Sequence, residues 1–112
     1  MSQETWEIQK YATPSGDCPF DDWFEELNDA TQARIAARLN RLRLGNFGDA
    51  KLLGEGVFEL RFFFGPGYRV YYGLAGKRIV LLLVGGSKQR QNKDIKAAQG
   101  FWAAYQDERG AN

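Results

Sequence analysis

The hydrophobic pattern of the first 28 residues predicts one strand and one helix. Residues 5–11 alternate apolar and polar side chains, a period of two that is typical of a short strand, here at an edge of a sheet. A helix is expected to begin at Pro19, because proline suits the first helical turn, with Asp17 or Cys18 as its cap. The apolar face of this helix comprises Phe20, Trp23, Phe24 and Leu27.

A second helix is predicted to run from Asp29 to Gly45. Asp29 followed three residues later by Gln32 resembles a capping box, and glycine is a common C-terminal stop. The apolar positions at helical spacing are Ile35, Leu39 and Leu42. We expect the two helices to pack against each other as a hairpin.

The second half of the chain predicts three strands. Residues 57–64 and 68–74 are expected to be strands, and a symmetric turn at 65–67 would put Arg61, Arg69 and Tyr71 on one face of the sheet. Residues 79–84 are aliphatic throughout, which indicates a strand inside the sheet with both faces buried. We expect three consecutive antiparallel strands, the third of them ended by Gly85, Gly86 and Ser87.

The segments around these strands are predicted from glycine content and helical spacing. Residues 45–56 are glycine-rich and expected to be irregular, and Gly65-Pro66-Gly67 is expected to form a hairpin turn rather than a phosphate-binding loop. Residues 92–105 have helical spacing, and a polar tail follows from about residue 106. The predicted fold is α+β: a small twisted antiparallel sheet with an N-terminal helical hairpin and a C-terminal helix.

The composition excludes several kinds of catalytic and metal site, and the length predicts a single domain. The 112 residues, 12.7 kDa, predict a single domain over residues 1–112. The chain has no histidine, and one cysteine, so imidazole catalysis, an internal disulfide and a cysteine-rich zinc site are excluded. No apolar run is long enough to span a membrane and the N-terminus does not resemble a signal peptide, so we expect a cytoplasmic protein without a membrane partner.

Two features that resemble chemical sites have simpler explanations. The acidic side chains around the start of the first helix favour its dipole and do not converge on a metal: Asp21, Asp22, Glu25 and Glu26. Cys18 lies at a helix start without a neighbouring base, so it is interpreted as an incidental cap rather than as a reactive thiol. We therefore expect no metal and no cofactor.

Charge is distributed unevenly although the formal net charge is only +1. Residues 1–60 carry 11 acidic and 6 basic side chains, whereas residues 61–112 carry 3 and 9. This segregation is equally consistent with a surface that faces a polyanion and with ordinary solvated charge.

Two groups of cations are candidates for binding phosphate. Arg34, Arg38 and Arg41 follow helical spacing and form a basic ridge, either a solvated face or a nucleic-acid contact. Arg61 and Arg69 are expected to pair across neighbouring strands, a repulsive pairing that invites an anion unless Glu59 neutralises one of them. The cations that follow the third strand, Lys88, Arg90 and Lys93, complete a possible phosphate-binding cleft.

Several motifs together resemble a known class of toxins. They are Glu59-Leu60-Arg61, residues 65–72, residues 82–88, residues 91–95, Pro19-Phe20 with Trp23, and residues 45–49 with Lys51. Over residues 6 to about 105 the chain resembles a RelE/ParE-superfamily toxin, and more narrowly the phage Gp49-like, addiction-module-killer or HigB-type branch of type II toxin–antitoxin systems. The resemblance implies a RelE-like fold and a cognate helix-turn-helix antitoxin, with a toxin–antitoxin heterotetramer as a possible assembly.

The resemblance also implies an activity and a site. Members that cleave RNA act as ribosome-dependent mRNA endoribonucleases, in which a 2′-hydroxyl attacks the adjacent phosphodiester and the protein supplies charge and proton transfer. Arg69, Lys88 and Arg61 are the implied catalytic residues; RelE itself has a lysine where this chain has Glu59. The expected substrate-binding residues are Tyr71, Arg90, Lys93, Arg38 and Arg41. The alternatives are a ParE-like gyrase poison and an inactive remnant that only binds its antitoxin.

Overall fold

A computed structural model describes residues 5–110, and its centre is a five-stranded sheet in the order β1–β5–β4–β3–β2. The elements are β1 (Glu7–Lys10), α1 (Pro19–Phe24), α2 (Asp29–Arg43), β2 (Ala50–Gly54), β3 (Val57–Arg61), β4 (Tyr68–Ala75), β5 (Ile79–Ser87), a 3₁₀ turn (Lys88–Arg90) and α3 (Gln91–Gly110). The α+β class with N-terminal helices and a C-terminal helix is confirmed. The pairs β2–β3, β3–β4 and β4–β5 are antiparallel. β1 lies at an edge, as predicted, but runs parallel to β5.

Successive side chains of a strand point to opposite faces of the sheet, and here both faces carry apolar side chains. Helices therefore cover both faces. One face packs against α1 and α2, and its buried residues are Phe20, Ile35, Leu42, Leu60, Phe62, Val70, Tyr72, Val80 and Leu82. The other face packs against α3, and its buried residues are Tyr11, Val57, Tyr71, Ala75, Leu81, Leu83, Ala98 and Trp102. The predicted faces of β3 and β4 are confirmed, and β5 is buried on both sides because it lies inside the sheet.

The two N-terminal helices are present, but their details differ from the prediction. α1 ends at Phe24 and contacts β5 much more than α2, so the helices pack on the sheet rather than chiefly on each other. The cap of α2 is Asn28, whose Oδ1 accepts a 2.8 Å hydrogen bond from the Thr31 backbone. The predicted capping box at Asp29 was therefore wrong by one residue; Gln32 instead donates to the Phe24 carbonyl oxygen at 2.8 Å.

The glycine-rich stretches hold more regular structure than expected. Residues 50–54, predicted to be irregular, form β2, because pairing with β3 compensates for their weak alternation. β5 continues through Gly85 and Gly86 to Ser87 instead of ending there. Trp23 of α1 packs directly on Gly85 and Asp94 of α3 directly on Gly86, so a Cβ at either position would overlap those side chains. The two glycines thus let a helix approach each face of one strand.

The C-terminal helix is longer than its apolar spacing suggests. α3 begins at Gln91 and continues to Gly110, so the residues predicted to form a polar tail from about 106 are helical as far as the structure describes them. Residues 5–110 contain no helix that is long and apolar enough to cross a membrane.

Candidate functional site

A buried carboxylate lies at the centre of the strongest cluster of charged side chains. Glu59 on β3 is fully buried, with 0% of its surface exposed. Its Oε1 accepts a 2.7 Å hydrogen bond from Arg61 Nε, and its Oε2 accepts a 2.7 Å hydrogen bond from Gln91 Nε2. Arg69 Nε lies 3.9 Å from the same Oε2, at ion-pair distance. Both oxygens of this carboxylate are therefore engaged by cations or donors.

Strand register explains how these side chains come together. Because the turn at 65–67 is short, Arg61 pairs with Arg69 and Glu59 pairs with Tyr71 across β3 and β4. All four residues share the α3 face, as the alternation predicted. Only the 3₁₀ turn separates α3 from β5, which brings Gln91 onto Glu59 across 32 positions of sequence. The predicted cross-strand arginine pair is confirmed, and Glu59 lies between the two guanidinium groups.

Gly67 joins Arg69 to Lys88. The Gly67 carbonyl oxygen accepts from Arg69 Nη1 at 2.9 Å and from the Lys88 backbone amide at 2.9 Å. A Cβ on Gly67 would lie 3.2 Å from Arg69 Nη1 and 3.3 Å from Lys88 Cβ, so glycine lets both side chains pass close to the turn. The structure therefore brings together the three residues expected to be catalytic, with Lys88 exposed and Arg69 only 7% exposed.

Arg69 is buried although its side chain is charged. It is 7% exposed and lies against the 65–67 turn, where its Nη1 donates to the Gly67 carbonyl oxygen. Its Nε has no hydrogen-bond partner within residues 5–110, since the distance to Glu59 is that of an ion pair rather than of a hydrogen bond. Substituting Arg69 will thus disturb the fold as well as any chemistry.

The electrostatics of the cluster leave an excess of positive charge. Glu59 opposes Arg61, Arg69 and Lys88, and its hydrogen bond and charge raise the pKa of Arg61. One carboxylate cannot neutralise three cations. The uncompensated charge, with the remaining guanidinium N–H groups, fits a phosphate or carboxylate rather than a cation.

Tyr71 is placed differently from the prediction. It was expected to bind substrate, but it is fully buried, and its hydroxyl lies close to the Glu59 carboxylate. Burial, followed by the charges of Glu59 and Asp94, raises the pKa of this phenol far above its ordinary value. Tyr71 is therefore neutral at physiological pH and is not positioned to touch a substrate or to act as its base.

Arg90 lies in the 3₁₀ turn that follows β5, and Lys93 lies in the first turn of α3. Both are exposed, and their charges lower the pKa of the buried Asp94, although the larger effect of burial leaves that pKa raised. Asp94 Oδ2, packed on Gly86, has no partner in the described part of the chain. Arg90 lines a cleft with α1, and neither cation forms a hydrogen bond or ion pair with Glu59 within residues 5–110.

Arg38 and Arg41 do not belong to this cluster. α2 covers the opposite face of the sheet, where Arg34, Arg38 and Arg41 line a groove with residues 62–64. The set of substrate-binding residues predicted from sequence is thus divided between two surfaces, separated by the sheet.

Sequence reasoning missed Gln91 as a member of the cluster, and it assigned Glu59 only a conditional role. A carboxylate at Glu59, two residues after the apolar Val57 and two before Arg61 on the same strand face, indicates a buried ion pair. Nothing in the spacing of Gln91 marks it. Within residues 5–110, no three or more His, Cys, Asp or Glu side chains are grouped to hold a metal.

Comparison with known proteins identifies the family of this chain. Residues 22–99 match the family described as phage derived protein Gp49-like (DUF891), a match that spans α1 to α3 and includes the whole Glu59 cluster. The chain belongs to this family, which is a toxin-like, addiction-module-killer family. It is also 49% identical over 81 residues to an uncharacterized protein of Haemophilus influenzae, covering 71% of this chain and 82% of the relative. A family of this kind implies an antitoxin partner in general terms.

Proposed function

We propose that this protein is the toxin of a type II toxin–antitoxin system and cleaves mRNA on the ribosome. The observation that carries the proposal is the Glu59 cluster: a buried carboxylate holds Arg61 and Arg69 side by side, next to Lys88, on a surface with excess positive charge. Membership of a toxin-like family supports the class, and the likeness of its motifs to those of RelE and HigB proteins supports the activity.

The chemistry requires no histidine and no cofactor. The 2′-oxygen of one nucleotide attacks the adjacent phosphorus while its proton leaves to a base. The bond from phosphorus to the 5′-oxygen then breaks, and that oxygen takes up a proton, leaving a 2′,3′-cyclic phosphate and a 5′-hydroxyl. Negative charge builds on the phosphoryl oxygens in between, and in this proposal the part-exposed Arg61 stabilises it directly, with the buried Arg69 behind it.

Each residue of the cluster has a distinct proposed role. Lys88 is exposed and has a flexible side chain, so it is the candidate for contact with the leaving oxygen or the phosphate. Glu59 is a positioning residue, because both of its oxygens are engaged and no face of it reaches solvent. Arg90 and Lys93 are exposed and follow Lys88 along the chain, so their proposed role is to bind the RNA backbone.

Primer extension on mRNA after brief induction tests the activity, with pulse labelling of protein and DNA synthesis alongside. We expect translation to stop and new 5′ ends to appear within codons. Continued incorporation of amino acids with halted DNA synthesis and double-strand breaks would instead show a gyrase poison. Growth without either effect would show an inactive antitoxin-binding protein.

The Lys88→Gln variant tests the site without disturbing the core. Removing one charge-stabilising donor lowers the rate by about 10²-fold or more, so this variant should lose cleavage while its melting temperature stays unchanged. Lys77→Gln is the matched control, because Lys77 is equally exposed but lies in the β4–β5 turn at the other end of β5. Equal activity of both variants would exclude Lys88 from the reaction.

The proposed partner is a helix-turn-helix antitoxin, in a heterotetramer. Positive charge at the Glu59 cluster fits an acidic or amphipathic antitoxin segment, for which association should be tight and slower at higher salt. Association kinetics with Lys88→Gln test whether the antitoxin covers this site: an unchanged on-rate would place it on another surface.

A further inference from the structure

A second cationic surface lies on the α2 face of the sheet, separate from the Glu59 cluster. It is a groove of about 370 Å³ lined by Arg34, Ala37, Arg38, Arg41 and residues 62–64. Its walls contain three arginines and no acidic residue, and none of the three arginines forms an ion pair within residues 5–110. The groove therefore keeps its full charge, unlike the Glu59 cluster.

Two of the arginines are held by aromatic rings rather than by carboxylates. The guanidinium carbon of Arg34 lies 3.6 Å from the centroid of the Phe64 ring, and that of Arg38 lies 5.3 Å from the centroid of Phe62. A guanidinium held through its interaction with a ring keeps N–H groups available for hydrogen bonds. Arg38 is half-buried and its Nη2 has no partner among the described residues. Because that nitrogen is itself buried, the donors open to a ligand are chiefly those of the exposed Arg34 and Arg41.

Phe63 adds an exposed ring to the same groove. It is 76% exposed, the largest exposure of any large hydrophobic residue described, and it lines the groove beside the arginines. Proteins that hold single-stranded nucleic acid combine a positively charged groove for the backbone with aromatic side chains on which bases stack. Every nucleotide carries both a phosphate for the arginines and a flat base for Phe63, whereas a carboxylate side chain can neutralise an arginine but cannot stack on the ring.

We infer that this groove binds single-stranded RNA, with Arg34, Arg38 and Arg41 on phosphates and a base stacked on Phe63. The choice of RNA over DNA rests on the proposed function, whereas the binding itself does not require cleavage. The groove would hold a stretch of RNA outside the reacting nucleotides, because the sheet separates it from Arg61 and Arg69.

Anisotropy of a fluorescent 2′-O-methyl oligouridine of about 12 nucleotides tests the groove with the full chain, at several salt concentrations. This RNA cannot undergo 2′-hydroxyl attack, so the result is independent of catalysis. Arg34→Gln/Arg41→Gln should weaken binding and reduce the slope of log K against log salt by about 1.4, since each lost phosphate contact on a single strand removes about 0.7.

Two further variants separate charge from stacking. Phe63→Ala should weaken binding about 5-fold or more with an unchanged salt slope, because it removes a stacking contact and no charge. Lys77→Gln/Lys96→Gln is the matched control, since both lysines are exposed and lie on other surfaces. Circular dichroism would verify that all variants are folded.

Several results would overturn the inference. Unchanged RNA affinity of Arg34→Gln/Arg41→Gln or of Phe63→Ala would exclude the groove as an RNA site. An equal loss of affinity in Lys77→Gln/Lys96→Gln would exclude it too. Tighter binding of the matching oligodeoxynucleotide would exclude RNA as its occupant. Groove-dependent binding of an oligoglutamate peptide without RNA binding would replace RNA by an acidic protein segment. If RNA binding did not depend on the groove but mRNA was still cleaved, this inference would be wrong and the proposed function would be unaffected.

Discussion

Arginines lie on both faces of the sheet where β3 ends, but different forces hold them. On the α3 face, Arg61 and Arg69 are tied to the buried Glu59 through ionic contacts. On the α2 face, Arg34 and Arg38 lie over phenylalanine rings and no carboxylate pairs with them within residues 5–110. The carboxylate fixes geometry and removes part of the charge, whereas the rings provide weaker orientation and leave the charge intact.

Of the substitutions that test this comparison, loss of Glu59 should lower the free energy of unfolding most. Glu59→Ala leaves the buried Arg69 without its counter-ion, and breaking a buried pair in this way costs about 3–5 kcal/mol of unfolding free energy. Urea denaturation measures the change, and Glu59→Gln, which keeps the side-chain shape, is the comparison variant. A cost below about 1 kcal/mol would show that the carboxylate does not stabilise the α3-face arginines.

Loss of Gln91 should have a smaller effect on the same cluster. Gln91→Ala removes a 2.7 Å donor to a buried carboxylate, and hydrogen bonds to charged groups contribute about 1.5–3 kcal/mol. Urea denaturation should show this loss, with Asn92→Ala at the next, exposed position as control. If the two variants were equally stable, the hydrogen bond from Gln91 to Glu59 would not contribute to the free energy of unfolding.

The Asp94→Asn variant tests how the stability of the α3 face depends on pH. Because burial raises the Asp94 pKa in the folded state, the folded chain holds this proton more tightly than the unfolded chain. Its contribution to stability is therefore greatest below the unfolded pKa and is lost as pH rises through the folded pKa. Asp94→Asn should thus gain stability relative to wild type as the pH rises above about 4, the ordinary pKa of an aspartate.

Urea denaturation at several pH values measures the Asp94 effect, which we expect to be no larger than that at Gln91. Asp49→Asn, at an exposed position, is the control. A stability difference between wild type and Asp94→Asn that stayed constant over this pH range would contradict the direction of the shift.

The smallest effect is expected on the α2 face. Removing the contact between Arg34 and Phe64 should cost about 0.5–1 kcal/mol, typical of a cation on an exposed aromatic ring. A double-mutant cycle with Arg34→Ala and Phe64→Leu isolates this pairwise energy by denaturant unfolding. A coupling energy as large as the Glu59 effect would mean that the two faces hold their arginines equally firmly.

Local pattern alone determined the strand faces and the arginine pair. Period-two alternation over residues 57–64 and 68–74, joined by a short glycine-rich turn, specifies which side chains share a face, since a slip of one residue would expose the apolar set. Arg61 opposite Arg69 follows from that register and is confirmed. The helix at residues 92–105 was likewise predictable from spacing, though not its full length.

Tertiary contacts decided the rest, because they join residues that no local pattern connects. β2 exists through its pairing with β3, and Tyr71 is buried because α3 packs on that face of the sheet. Gln91 reaches Glu59 only once β5 and the 3₁₀ turn have positioned α3. The sheet also separates Arg38 and Arg41 from Arg61 and Arg69. Charge and spacing along a chain identify candidate side chains, but burial depends on which element packs over them, and that is settled only by the packing of the whole core.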